Sequence, residues 1–232
     1  EGNPQLLLPE QRIDDTRHAI AWLRQQTKVD PDKIFLYGIS YGAATCIGAA
    51  ALDSKIKAIA AVSGAADGVA FLQGIRDSDQ WLAFKAQLDT ALDKRSMTGE
   101  ETLLDLKTIV PFPNKFWEKY NKLDSKSDSE SIPQNNNAST ANKAPQFTAT
   151  SAMAMLEFKL ASYLEILTSP SCIIHGENDN IILLEGVKHT FLKIKAEKEL
   201  HTLPGCDHID LDHGAGLTEQ LNLAVAWFAR QQ

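Results

Sequence analysis

The stretch Lys33–Thr45, KIFLYGISYGAAT, narrows the fold more than any other part of this chain. Mostly apolar, β-prone residues run into a serine with a glycine two positions to either side, and small helix-compatible residues follow. A G-x-S-x-G pentapeptide between a strand and a helix describes a sharp turn. A serine there takes a strained backbone conformation, and Gly38 and Gly42 relieve the crowding around it. The turn lifts Ser40 above the sheet, and the next helix aims its unpaired N–H groups and partial positive charge at the serine oxygen. The pentapeptide alone is a weak signal. The strand before it and the helix after it make Ser40 a candidate nucleophile rather than an incidental serine in a glycine-rich turn.

Around this turn the chain alternates. Residues 10–26 predict an amphipathic helix with Ile13, Ile20, Trp22 and Leu23 on its apolar side. KIKAIAAVSG, SCIIHG and KELHTLPG read as three further strands, and LLEGVKHTFLKIK as a helix. The last segment, GLTEQLNLAVAWFARQ, predicts a helix with Leu217, Leu221, Val225 and Phe228 on its apolar face. Strands alternating with helices imply an α/β fold with a mostly parallel sheet.

The alternation breaks between about Asp67 and Thr150. SDQWLAFKAQLDTALDKRS, GEETLLDLKTIV and NKFWEKYNKL are helix-like. The polar stretch at about 124–146 has too few apolar residues to offset the entropy of ordering, which predicts a mobile loop. The helix SAMAMLEFKLASYLEIL then leads back. The expected organisation is a first core part at 1–66, a helical cap at 67–150 and a second core part at 151–232. Phe71, Trp81, Phe84, Phe112 and Trp117 are candidates for lining a pocket under the cap, against the plainer reading that they build the cap's own core.

A serine hydroxyl is a poor nucleophile at neutral pH and needs a base, usually histidine, held by a carboxylate. Asp179 in SCIIHGENDN and His208 in LPGCDHIDL each fall just past the end of a strand, where parallel sheets assemble their sites. Glu177 and Asp67 are the competing acids. His213 is the competing base. His175 reads as a structural residue of its strand, and His18, His189 and His201 lack catalytic context. Asp207, Asp210 and Asp212 read as solvated loop acids. The backbone N–H of Tyr41 is the expected oxyanion donor.

A net charge of −7 on 232 residues, without a basic cluster, argues against a nucleic-acid partner. No apolar run is long enough to span a membrane. Cys46, Cys172 and Cys206 show neither metal-ligand spacing nor a disulfide framework. No metal or cofactor is expected. Reduced, buried cysteines fit a cytoplasmic location, with any signal peptide lying upstream of Glu1. The oligomeric state is not legible.

DDTRHAIAWLRQQTKVDPDKIFLYGISYGA, SAMAMLEFKLASYLEILTSPSCIIHGENDN and LPGCDHIDL together resemble the α/β-hydrolase superfamily. More closely, they resemble its dienelactone-hydrolase-like and polyketide-transferase-like group with a helical cap. The GISYG elbow is also similar to prolyl-peptidase-type hydrolases, without a segment for their propeller. The resemblance implies Ser40 as nucleophile, Asp179 as acid and His208 as base. EGNPQ looks like the end of the family's glycine-rich loop. Relatives carry strands ahead of it, one of which supplies a second oxyanion donor, so the chain resembles a hydrolase lacking its first strands. The expected function is a serine hydrolase acting on an ester, thioester or activated amide of a small-molecule acyl substrate. An acyltransferase or serine peptidase using the same residues, and an inactive fragment or binding protein, are the alternatives.

Overall fold

The computed structural model describes residues 3–64, 67–114, 116, 118 and 145–232. The loop expected at 124–146 lies almost wholly outside these residues, as do Trp117 and most of the third helix-like piece. The chain divides into two compact units, one of Leu8–Phe71 with Ala154–Gln232, the other of Leu72–Met153 with the described residues of Glu1–Leu7.

The first unit holds a parallel four-stranded sheet. Its strands are β1 (Phe35–Ile39), β2 (Ala58–Val62), β5 (Ser171–Gly176) and β6 (Lys198–Leu203), in the order β1-β2-β5-β6. Every residue of β2 and β5 is buried, whereas β1 and β6 are mostly half-buried edges. Runs such as AIAAV and SCIIHG suit strands covered on both faces. Among the described residues, β1 pairs only with β2, in the register Phe35↔Ala58 to Ile39↔Val62.

Helices cover both faces. Ala58, Ala60, Val62, Cys172 and Ile174 form one cluster with Leu203, Ala224 and the fully buried Trp227. Helix α1 (Pro9–Leu23) starts with proline at its first position, where no N–H is missed. It packs against α2 (Tyr41–Ala51) so closely that a Cβ on Gly48 would overlap Ile13. Ile13 and Ile20 are buried as expected, but Trp22 is 61% exposed. Trp22 sits two positions, or some 200°, from Ile20, which turns it away from the sheet.

The apolar face expected for the last helix, Leu217–Arg230, also needs correcting. The buried row is Gln220, Ala224 and Trp227, while Leu221 and Val225 are exposed. Both rows contain large apolar residues. The buried one includes a glutamine, whose side-chain amide oxygen accepts from the Tyr37 hydroxyl at 3.0 Å.

The chain passes into the second unit within α3 (Gly68–Gly74) and returns within α6 (Ala149–Glu157). In the first unit, the Gly68 N–H donates to the Phe158 carbonyl at 2.8 Å, which ties the departing and returning segments together. A Cβ on Gly68 would overlap the carbonyl oxygen of Met155. The helix expected from 151 onward is two helices, α6 and α7 (Leu160–Leu164).

The second unit is organised on α4 (Ser78–Thr98). Its start is a capping box, with Asp77 accepting from the Gln80 N–H at 2.8 Å and Gln80 from the Asp77 N–H at 3.1 Å. It ends on Gly99 in the left-handed region, φ 75°. Phe84, Leu88 and Ala91 form its buried stripe. The helix expected at GEETLLDLKTIV is instead a strand, β3 (Leu103–Asp105), followed by the short α5 (Leu106–Ile109). β3 pairs antiparallel with β4 (Gln146–Thr148), a partner too distant for local periodicity to reveal. Arg76 donates to the carbonyls of Leu72, Thr108 and Ile109 and lies 4.0 Å from the Phe84 ring centroid. Phe84 is thus a core residue.

Candidate active site

Strand β1 ends at Ile39, and Ser40 turns the chain into α2 with φ 54° and ψ −119°. This backbone conformation costs a non-glycine residue about 1–3 kcal/mol and survives only where its surroundings enforce it. The Ser40 N–H donates to the Val62 carbonyl at 2.8 Å, and the Ser40 carbonyl accepts from Ala43 at 3.0 Å. A Cβ on Gly38 would overlap the Gly42 carbonyl and stand 2.7 Å from Cys46 Sγ. A Cβ on Gly42 would meet nothing within 4 Å, so only one of the two motif glycines is sterically required. Gly64, just past β2, is a further constraint, because a Cβ there would overlap the Ser40 carbonyl and the Ala43 side chain. Its place after a buried strand was the only sequence signal for it.

Ser40 occupies the N-cap of α2, yet its side chain does not cap the helix. The hydroxyl instead meets His208 Nε2 at 2.9 Å. His208 Nδ1 lies 2.8 Å from Asp179 Oδ2. With a proton on Nδ1 donated to the carboxylate, Nε2 is left to accept from the serine O–H. The other Asp179 oxygen accepts from the N–H groups of Ile181 and Ile182, each at 2.9 Å. Asp179 is 4% and His208 8% exposed, so the bond between them is shielded from water, whereas Ser40 is half-buried.

Three distant segments therefore converge on one point at the carboxyl ends of β1, β5 and β6. The competing residues do not. Glu177 accepts from Thr202 at 3.1 Å, and Asp67 accepts from the Ala161 N–H at 3.0 Å. His213 pairs with Asp212 at 3.1 Å on the surface. His201 pairs with Glu199 at 3.1 Å, and His18 and His189 are exposed. Asp207 and Asp210 are more than solvated acids. Asp207 accepts from the N–H groups of Ile209 and Asp210 at 3.0 Å each, and Asp210 accepts from the Asp207 N–H at 3.0 Å. This reciprocal pair brackets His208.

Tyr41 opens α2, so its N–H belongs to the first turn, which has no intrahelical acceptors. Its hydroxyl is buried without a partner among the described residues, and Arg12 lies 5.8 Å from the ring centroid. Burial pushes the phenol pKa up, so the ring stays neutral. Burial also pushes the Cys46 thiol up to about 12, far from a nucleophilic thiolate. Among the described residues, no group of three or more His, Cys, Asp or Glu stands ready to hold a metal. A cavity of about 390 Å³ lined by Asp32, Lys55, Lys57 and Pro170 opens at the amino ends of β2 and β5, opposite Ser40.

A family model described as X-Pro dipeptidyl-peptidase (S15 family) matches residues 1–210. An uncharacterised 31.7 kDa protein of Escherichia coli is 23% identical over 237 residues, covering 99% of this chain and 76% of that protein. A thiohydrolase of Aspergillus aculeatus is 44% identical over 63 residues, or 27% of this chain and 20% of its own length. The solved structure of the α/β hydrolase GrgF from a Penicillium species matches with a TM-score of 0.74 at 18% identity, covering 100% of this chain and 75% of that one. The fold resemblance read from the sequence is borne out.

Proposed function

Since the chain belongs to the S15 family of X-Pro dipeptidyl-peptidases and is an enzyme of the α/β-hydrolase type, we propose that it is a serine hydrolase working through an acyl-enzyme. Ser40 attacks the carbonyl carbon of a small acyl substrate while His208 Nε2 takes its proton. Asp179 holds the imidazole in the required tautomer and balances the imidazolium charge. The Tyr41 N–H, at the positive end of α2, faces the oxyanion. His208 returns the proton to the leaving group, and water, activated by the same histidine, releases the acid. The observation that carries this reading is the unbroken chain from Ser40 through His208 to Asp179, at 2.9 and 2.8 Å.

Esters and thioesters are the first substrates to test, on the strength of the 63-residue stretch 44% identical to a thiohydrolase. The family match favours a second reading, cleavage of an amide after proline. The buried thiols of Cys46 and Cys172 support a reducing, cytoplasmic setting.

The test is covalent labelling with a fluorophosphonate, followed by turnover of a p-nitrophenyl ester, an acyl thioester and a prolyl p-nitroanilide. Labelling of the unaltered protein that vanishes in Ser40→Ala supports the proposal. Labelling that persists in Ser40→Ala removes it. The ranking of the three substrates decides between the two readings.

A further inference from the structure

His175 lies on β5, four residues before Asp179, and is completely buried. Its neighbours on the strand are Ile173, Ile174 and Gly176, where an aliphatic side chain would be the expected occupant. Its Nε2 donates to the Ile182 carbonyl at 2.8 Å and stands 3.6 Å from Asp179 Oδ2. Ile182 is also one of the two residues whose N–H groups hold Asp179 Oδ1. The imidazole therefore anchors one side of a residue whose other side grips the carboxylate. Its Nδ1 has no partner among the described residues. A bare ring nitrogen in the core is unfavourable, so a fold retaining it calls for a reason.

We propose that His175 is a positioning residue, a neutral imidazole that staples the turn Gly176–Ile182 so that Asp179 meets His208 at the right distance. This rests on the reading of Ser40, His208 and Asp179 as the catalytic set. Neutrality matters because a charged His175 would compete with His208 for the same carboxylate. Burial lowers its pKa, and the ionisable groups that face it are Asp179 and His208. An imidazole whose Nε2–H is committed to Ile182 leaves Asp179 Oδ2 to His208. Loosening the staple lets Asp179 drift and weakens its support of the His208 imidazolium.

The rate of fluorophosphonate labelling against pH tests this without knowledge of the natural substrate. His175→Phe keeps a planar ring on the strand but removes the bond to Ile182. It is expected to slow labelling by about 10²-fold, the scale of a small misplacement of a reacting group, and to move the acid limb of the profile to lower pH. His175→Gln, whose amide nitrogen takes the place of the imidazole Nε2 and can still donate to the Ile182 carbonyl, is expected to recover most of the rate and return the limb towards its original position. A folded His175→Phe that labels at the unaltered rate, or more slowly with the limb in place, overturns the proposal. Should His175→Phe fail to fold, ¹⁵N NMR of the unaltered protein decides. Protonation at Nε2 alone between about pH 6 and 8 supports the proposal, and protonation at Nδ1 overturns it. Labelling that survives Ser40→Ala refutes the catalytic reading itself, whereas loss in Ser40→Ala with His175→Phe unchanged refutes only the role of His175.

Discussion

A methyl group on Gly38 would overlap the Gly42 carbonyl oxygen, whereas one on Gly42 would meet nothing within 4 Å. The two glycines of the elbow are therefore unequal. Gly38→Ala is expected to destabilise the fold by about 1–3 kcal/mol through overpacking and to suppress fluorophosphonate labelling. Gly42→Ala should keep both stability and labelling, since alanine also suits the first turn of α2. Urea midpoints and labelling rates of the two variants check this. Equal damage from both would defeat the steric account.

Asp179→Asn preserves the shape of the acid but leaves a carboxamide against His208 Nδ1, which favours the wrong imidazole tautomer. The expected loss is about 10⁴-fold in kcat for a p-nitrophenyl ester. Glu177→Gln, which alters a residue engaged with Thr202 instead, should leave kcat within about twofold, far from the loss a catalytic acid shows. Steady-state kinetics on the pair separates them.

Burial holds the His175 pKa below its ordinary 6.5. The unfolded chain then binds a proton that the folded chain refuses. This contribution to stability is full above about pH 6.5 and is lost as the pH falls towards the folded value. Urea midpoints at about pH 7.5 and 5.5 should show a drop in the unaltered protein and a smaller one in His175→Asn. An equal drop in both assigns the acid sensitivity to other groups.

Trp227 is fully buried and Val225, two residues earlier, is 66% exposed. Trp227→Ala is expected to cost about 3–5 kcal/mol, and Val225→Ser no more than about 0.5 kcal/mol. Thermal or chemical unfolding of the two variants reads this directly. Comparable losses would mean that the sequence-predicted face of the last helix, not the observed one, meets the sheet.

Where local chemistry fixes a residue's position, the sequence disclosed that position. Ser40, Asp179 and His208 each lie within a few residues of the carboxyl end of a strand, and strand ends in a parallel sheet gather on one side. Where a distant partner decides, it did not. Leu103–Asp105 looks helical until Gln146–Thr148 pairs with it. Gln220 looks like a surface residue until the Tyr37 hydroxyl reaches it. The sequence places His175 as a structural residue of its strand, but nothing in SCIIHGENDN discloses that its ring closes onto Ile182. Asp207 and Asp210 passed for solvent-facing acids because their partners are backbone N–H groups.

The bond between Gly68 and Phe158 has a bearing on how such a chain diversifies. From the sheet's standpoint, everything between these residues is a loop whose two ends are already clasped. Lengthening a flexible loop with its ends held together adds only about 0.6 kcal/mol for each doubling. Gene-level exchange of that segment for one of different size or shape is accordingly cheap for the core. Ser40, Asp179 and His208 all lie outside the exchanged part, so that segment can change while the sheet and the candidate site on it keep their fold.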